Sequence, residues 1–114
     1  MTAVNPRVYY MLNRREKLRY PLIKVKELIA SNKVSFEFNR TKNRETMKRL
    51  GFEVDDVLKE IMKLKDSDFA GVDIEPDKTD ADVYIKIISR LEIYIKFKIE
   101  KPDLLILSFH ENGH

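Results

Sequence analysis

The last third of the chain alternates strictly between apolar and polar residues. Every odd position from 91 to 99 is apolar, whereas Glu92, Lys96 and Lys98 are among the even positions between them. Because side chains of a β-strand point alternately to its two faces, this period of two predicts a half-buried strand. With its neighbours it predicts an antiparallel meander of three strands, over 82–89, 91–100 and 104–110.

Apolar residues recur at helical spacing in the first two thirds of the chain. One stripe follows Pro21 and another runs over 54–64, which predicts two amphipathic helices. The pattern between them predicts a short strand over 34–38 and a short helix that Asn43 caps and Gly51 ends. Helices followed by strands predict an α+β fold, with the helices packed on the odd-numbered face of an antiparallel sheet.

Composition limits both the architecture and the chemistry. A length of 114 residues fits one domain, which we expect over 21–114 after a basic arm over 1–20. The chain has no cysteine and two histidines, which excludes disulfides and does not favour a structural zinc site. No secretory signal is visible, and the apolar run 104–107 is far shorter than the ~20 residues of a membrane span. We therefore expect a soluble cytoplasmic protein that uses no metal and no other cofactor.

Charge is distributed unevenly along the chain. Residues 1–50 contain thirteen Lys and Arg against four Asp and Glu, a balance of +9, whereas residues 51–80 have a balance of −6. A basic region attracts polyanions, above all nucleic acid. The acidic stretch 66–80 is expected to be mostly loop, with a short strand near 69–74. Charge alone therefore leaves two interpretations open, a nucleic-acid-binding protein and a merely solvated surface with a basic arm.

Strand register decides which side chains share the open face of the sheet. Residues on one face pair odd with odd, so a three-residue turn at 101–103 predicts Tyr94 opposite His110. A similar turn at 88–90 predicts Tyr84 opposite Tyr94. The same parity assigns to the core Leu105, Leu107 and Phe109. The open face is then expected to gather Tyr84, Tyr94, His110, Lys86, Lys96 and Lys98, with Arg90 at its rim. Such a face suits single-stranded RNA, which proteins bind by stacking and by charge.

From about Tyr20 to Glu111 the chain resembles the MqsR family of mRNA interferase toxins, the motility quorum-sensing regulators. The resemblance rests on several blocks in the same order. Segment 23–29 resembles the family's first helix, and 64–69 is similar to its L-S-x-S-D-F segment. The other blocks are Asp82-Val83-Tyr84, similar to D-V-Y; Ile93-Tyr94-Ile95-Lys96, similar to V-Y-L-K; and 104–109, similar to V-L-I-V-S-F.

This resemblance implies a RelE-like microbial ribonuclease fold and a toxin restrained by a cognate antitoxin protein. It also implies sequence-selective, metal-independent cleavage of single-stranded mRNA without the ribosome, which would inhibit translation. The tyrosine implicated in cleavage falls on Tyr94, and a basic residue after the last S-F falls on His110. A family lysine and a family glutamine fall on Gly71 and Ala81, so part of the family's site is replaced here.

RNA supplies its own nucleophile, the 2′-hydroxyl, so a ribonuclease must chiefly move protons and neutralise charge. We expect His110 to act as general acid or base, and Tyr94 as its hydrogen-bonding partner or a proton donor. Lys96 would neutralise charge on the phosphate. Further RNA contacts are expected from Lys98, Arg90, Lys86 and Tyr84. Two alternatives remain open: a non-catalytic RNA-binding module, and a protein-interaction domain that uses the acidic loop 66–80.

Overall fold

The computed structural model describes residues 17–113, which adopt an α+β fold. Their elements in chain order are α1 (Leu22–Ala30), β1 (Val34–Phe36), α2 (Thr41–Leu50), α3 (Val54–Met62), a 3₁₀ turn (Asp66–Asp68), β2 (Phe69–Ile74), β3 (Asp80–Ile88), β4 (Leu91–Glu100) and β5 (Asp103–Glu111). The strands form one mixed sheet in the order β1-β5-β4-β3-β2, in which β1 is parallel to β5 and the other neighbours are antiparallel. The predicted fold class and C-terminal meander are confirmed, whereas residues 1–16 of the predicted arm lie outside the described residues.

The core lies between the sheet and the helices. Odd-numbered residues of β4 point into it, and Ile93, Ile95 and Phe97 are fully buried, as the alternation predicts. Burial of each such side chain contributes about 1.5–3 kcal/mol, so this contact holds the layers together. The helices contribute their predicted apolar stripes, namely Leu22, Val25 and Leu28 from α1, and Val57 and Ile61 from α3.

The last residues of the predicted arm are anchored to β3. The buried carboxylate of Asp82 accepts hydrogen bonds from the backbone N–H groups of Arg19 and Tyr20, at 2.8–3.0 Å. The Tyr20 hydroxyl donates to the carbonyl oxygen of Asp80 at 2.8 Å. Burial raises the pKa of Asp82, although the hydrogen bonds oppose this shift. The two residues before the expected domain boundary thus contact the sheet, and the boundary itself stays a prediction.

The turn between β3 and β4 is shorter than predicted. Ser89 and Arg90 form it alone, with φ angles of 49° and 69°. Two-residue hairpin turns with both φ positive match the right-handed twist of the flanking strands, which the alternating pattern does not reveal. Ile88 therefore pairs with Leu91, and each side chain of β3 faces the side opposite to the predicted one.

Tyr84 and Lys86 consequently lie on the helix side of the sheet, and their predicted place on the open face is wrong. Tyr84 is fully buried, with its ring centroid 5.3 Å from that of Phe97 and 5.6 Å from that of Phe69. The ammonium group of Lys86 lies 3.6 Å from the carboxylate of Glu60 in α3. Neither side chain can contact RNA on the open face of this fold.

The β4–β5 turn likewise has two residues where three are predicted, which shifts the register beside it. Leu105 therefore lies outside the core cluster, and its predicted core position is wrong. Leu107 is buried as predicted, although it does not belong to that cluster. The residues of β5 that do belong to the core are Leu104, Ile106 and Phe109, of which the last is as predicted.

A β-bulge restores the predicted register farther along this strand pair. Leu107 is the extra residue of β5, left without a partner in β4. Beyond it Lys96 pairs with Ser108 and Tyr94 pairs with His110, as predicted. Two errors of prediction, a turn one residue too long and a missed bulge, thus cancel at the candidate site.

Side chains of α2 hydrogen-bond the edge of β5 beyond the end of β1. The buried Asn43 side chain accepts a hydrogen bond from the Phe109 N–H at 2.9 Å and donates one to the Leu107 carbonyl oxygen at 3.1 Å. It also donates to the Glu37 carbonyl oxygen at 2.8 Å. The Thr46 hydroxyl accepts a hydrogen bond from the N–H of Glu111 at 3.1 Å. The helix begins before Asn43, so this residue braces the bulge and is not the predicted helix cap.

The brace predicts a large effect of one substitution. Asn43→Ala would leave buried backbone groups of β5 without partners, each costing about 1–3 kcal/mol. We expect the free energy of unfolding, measured by urea denaturation, to fall by about 2–4 kcal/mol. Asn39→Ala, in the exposed turn before the same helix, is the control and should change stability by less than about 0.5 kcal/mol. Equal stability of the two variants would contradict the proposed brace.

Candidate catalytic site

The face of the sheet opposite the core carries most of the residues singled out by the sequence. Tyr94, Lys96 and Lys98 of β4 share it with Ser108 and His110 of β5. The rings of Tyr94 and His110 stack across the strand pair, with centroids 5.2 Å apart and an interplanar angle of 13°. The predicted cross-strand neighbours are therefore in direct contact.

The hydrogen bonding of His110 defines its neutral form. Its Nδ1 lies 2.9 Å from the carbonyl oxygen of Glu111, and a carbonyl oxygen only accepts hydrogen bonds. Nδ1 therefore carries the proton, and in the neutral ring Nε2 has a free lone pair. A histidine held in this tautomer has the form of a general base.

A cleft of about 210 Å³ opens between His110 and helix α2. Residues three, four and seven positions apart share one helix face, so the helix lines the cleft with Lys42, Glu45, Thr46 and Arg49, and β5 adds Glu111. The Arg49 guanidinium lies 2.6 Å from the Glu111 carboxylate at the same site. Sequence reasoning did not single out these cations, although the basic balance of residues 1–50 and their helical spacing were visible.

The surroundings of His110 favour its neutral state. Burial lowers its pKa below the ordinary value near 6.5, and the positive charges of Lys42, Lys96 and Arg40 lower it further. The hydrogen bond to the Glu111 carbonyl oxygen opposes the shift without reversing it. His110 is thus mostly uncharged at neutral pH, and three cations lie close enough to act on it.

Lys96 is adjacent to this centre but is engaged with carboxylates. Its ammonium group lies 2.9 Å from the Glu75 carboxylate and 3.3 Å from that of Asp73. The Lys96 side chain is 12% exposed. Lys96 therefore contributes to the field at His110, yet the two carboxylates offset much of its charge.

Lys98 is more deeply enclosed than an RNA-binding lysine would be. Its side chain is 5% exposed and its ammonium group lies 3.1 Å from the carboxylates of both Asp77 and Glu100, and 2.9 Å from the Thr79 hydroxyl. Burial opposes its charge, but these partners outweigh burial and raise its pKa. Hydrogen bonds from Thr79, with help from Lys98, lower the pKa of Asp77 to about 2. Lys98 thus fixes the β2–β3 loop, and RNA would have to displace these partners to reach it.

The remaining predicted site residues do not join the centre. Burial raises the pKa of Tyr84, whose hydroxyl has no hydrogen-bond partner, so Tyr84 belongs to the core. Arg90 is exposed in the β3–β4 turn, at the end of the sheet where β5 ends. Gly71 and Ala81, where the sequence departs from the resembled family, face the same side as Lys96. Gly71 has a φ of 139°, a backbone conformation that favours glycine over lysine.

Within residues 17–113 no group of three or more His, Cys, Asp or Glu side chains is arranged to hold a metal ion. No helix in the same residues is long and apolar enough to cross a membrane.

Comparison with known proteins identifies the family. A comparison with curated proteins found no match. The family model of the motility quorum-sensing regulator, described as the toxin of MqsA, matches residues 17–111, which include every element of the fold and the Tyr94–His110 pair. The chain therefore belongs to the MqsR toxin family.

Proposed function

We propose that this protein is a metal-independent endoribonuclease, an mRNA interferase that cleaves single-stranded mRNA at preferred sequences and thereby inhibits translation. Membership of the family implies a toxin of a toxin–antitoxin system with an antitoxin partner. The nuclease step is our proposal, and the observation that carries it is the stacked Tyr94–His110 pair beside a cleft lined by Lys42 and Arg49. A neutral imidazole, a phenol and cations are the groups that RNA cleavage by its own 2′-hydroxyl requires.

The proposed reaction uses His110 as general base. Its Nε2 takes the proton of the 2′-hydroxyl, whose oxygen attacks the adjacent phosphorus while the bond to the 5′-oxygen breaks. Tyr94 donates a proton to the departing 5′-oxygen, since a neutral phenol holds its proton at physiological pH. The products are a 2′,3′-cyclic phosphate and a free 5′-hydroxyl, and proton exchange with solvent returns both side chains to their initial states.

Charge that builds on the phosphorus oxygens would be neutralised mainly by Lys42, with Lys96 contributing to the field. Lys42 lines the cleft and is exposed, whereas Lys96 is paired with two carboxylates. Preorganised cations of this kind stabilise the transition state without rearrangement during the reaction. This division of roles moves the phosphate contact from the sheet face towards helix α2.

A cleavage assay tests the proposed chemistry. Purified protein incubated with a short single-stranded RNA in EDTA should give 2′,3′-cyclic phosphate and 5′-hydroxyl ends. His110→Ala should lower the single-turnover rate by about 10²- to 10⁴-fold, the usual effect of losing a proton-transfer group. Tyr94→Phe keeps the ring stack and should also slow cleavage. His114→Ala, which removes the other histidine, is the control and should cleave at the wild-type rate.

Two results would overturn this assignment. Full-rate cleavage by both His110→Ala and Tyr94→Phe would place the reacting groups elsewhere. Binding of RNA by the wild-type protein without any cleavage would instead favour a non-catalytic RNA-binding module.

The lowered pKa of His110 predicts the pH dependence of cleavage. A base must be unprotonated, so kcat/KM should rise with pH and level off, with a midpoint below the ordinary value of about 6.5. Lys42→Met removes a positive charge that lowers this pKa and should move the midpoint to higher pH. Lys48→Met, on the same helix, should leave the midpoint unchanged. An unchanged midpoint in Lys42→Met would contradict the assignment of this rise in kcat/KM to His110.

The toxin assignment predicts a growth phenotype. Expression of the chain alone in bacteria should arrest growth, because uncontrolled mRNA cleavage stops protein synthesis. Co-expression of the cognate antitoxin should restore growth, as should replacing the toxin with His110→Ala at equal protein level. Colony counts after induction measure both effects. Normal growth under strong expression of the wild-type chain alone would contradict the proposal.

A further inference from the structure

A second hollow, of about 470 Å³, lies at the junction of β1 and α2. The residues that line it are Ser35, Phe36, Glu37, Phe38, Asn39, Arg40 and Leu105. Its volume is within the range of small-ligand sites. The mechanism proposed above makes no use of it.

Phe38 is unusual for its exposure. It is 47% exposed, and among residues 17–113 it is the one phenylalanine or tyrosine that counts as exposed. Exposing the apolar ring of a phenylalanine to water is unfavourable, and Phe38 is not needed to fill the core. An exposed aromatic face next to a guanidinium is a frequent means of binding unpaired RNA bases by stacking.

The turn that carries Phe38 is fixed at several points. The Glu37 N–H donates to the Ile106 carbonyl oxygen at 3.0 Å, and the Glu37 carbonyl oxygen accepts from Asn43 at 2.8 Å. The Phe38 N–H donates to the Phe36 carbonyl oxygen at 2.9 Å. Phe38 is thus presented on a preorganised backbone, which reduces the entropy lost when a ligand binds.

One cation connects the hollow with the catalytic centre. Arg40 lines the hollow and is one of the cations whose charge acts on His110. Arg40 pairs with Glu37 at 3.1 Å, but both side chains are at least 40% exposed, so a phosphate can displace the carboxylate at little cost. Lys42, at the edge of the catalytic cleft, follows two residues later in α2.

Distance and direction also connect the two sites. Leu105 at the hollow and His110 at the cleft point to the same face of β5. Their partners in β4, Lys98 and Tyr94, are four residues apart, and a strand rises about 3.3 Å per residue, so the two positions are about 13 Å apart. A short stretch of extended RNA can span that distance with one base in the hollow and a phosphate at His110.

We propose that the hollow binds an unpaired nucleobase of the RNA substrate, with Phe38 stacking on the base, Asn39 hydrogen-bonding its edge and Arg40 contacting the adjacent phosphate. This inference rests on the proposed function, since it names where the substrate of the same site lies. Asn39 gives the hollow a means of preferring one base, because its amide both donates and accepts hydrogen bonds. The hollow would therefore contribute to the choice of cleavage sequence.

The test measures binding without cleavage. The probe is a short single-stranded RNA that carries 2′-O-methyl groups and therefore lacks the nucleophile, with 2-aminopurine placed at successive positions. Binding to the wild-type protein should quench the fluorescence at one position, because stacking on Phe38 quenches this base. Phe38→Leu keeps apolar bulk without a π-face, and should abolish that quench and raise Kd by roughly 5- to 100-fold, the range for loss of one base–aromatic stack.

Matched variants separate stacking from a general disturbance. Phe38→Trp should keep the quench and the wild-type Kd, because it retains a stacking surface. Ile23→Ala, at an exposed apolar residue of α1, should change neither quantity. Thermal unfolding of each variant should stay near the wild-type midpoint, since these side chains are exposed.

Several outcomes would overturn the inference. These are an unchanged quench and Kd in Phe38→Leu, failure of the wild-type protein to bind the probe, or a loss of antitoxin affinity in Phe38→Leu while RNA affinity is retained. The outcomes that would refute the proposed function are different ones. Phe38-dependent binding without any cleavage of ordinary RNA in EDTA would refute the nuclease and leave the base site intact, whereas cleavage without a Phe38 effect would do the reverse.

Discussion

The structure depends on how the outer edge of β5 satisfies its hydrogen bonds once β1 ends at Phe36. Backbone N–H and C=O groups that are buried without partners are costly, and β1 is too short to pair with the second half of β5. Helix α2 takes over this role through the side chains of Asn43 and Thr46. The same contacts fix the bulge at Leu107, and the bulge decides that His110 faces Tyr94. The geometry of the candidate site thus follows from the way in which backbone groups at the edge of the sheet find hydrogen-bond partners.

The cations near the candidate site form two groups, one on the sheet face and one on α2, and the two groups have different roles. Lysines on the sheet face, such as Lys98, are enclosed by carboxylates of the acidic segment and of β4, and hold the β2–β3 loop in place. Cations of α2 such as Lys42 lie beside His110 and are open to solvent. The lysines of the sheet face are therefore neutralised by nearby carboxylates, whereas Lys42 beside His110 stays open to solvent. Under the proposed function, a phosphate of RNA would meet the cation of the helix more readily than those at the centre of the sheet.

Much of the fold could be predicted from periodicity, because burial imposes a pattern on each strand and helix. The alternation of β4 predicted correctly that Ile93, Ile95 and Phe97 are in the core. Register could not be predicted in the same way, because the number of residues in a turn leaves no mark on the alternation of either strand. The two-residue turn at Ser89 and Arg90 therefore moved Tyr84 from the expected open face into the core.

The candidate site was predictable in part for the same reason. The Tyr94–His110 pair agrees with the prediction because the bulge at Leu107 offsets the shorter turn, and no feature of the sequence identifies that bulge. The contribution of α2 was missed because its cations are adjacent to His110 only in three dimensions. Asn43 looked like a helix cap, since nothing local in the sequence distinguishes a cap from a brace to a distant strand. Long-range hydrogen bonds of single side chains are the information that a sequence pattern lacks.

The contact between α2 and β5 has a consequence for when the site forms during synthesis. Asn43 and Phe109 are separated by 66 residues, so α2 has no strand edge to brace until β5 has left the ribosome. Contacts this distant in sequence form slowly, and a chain emerges from its N-terminal side first. The basic helix is therefore made before its histidine partner, which arrives with the last strand described here. The candidate site of this toxin stays incomplete until β5 has been made, which separates the appearance of the first elements of the fold from the appearance of activity.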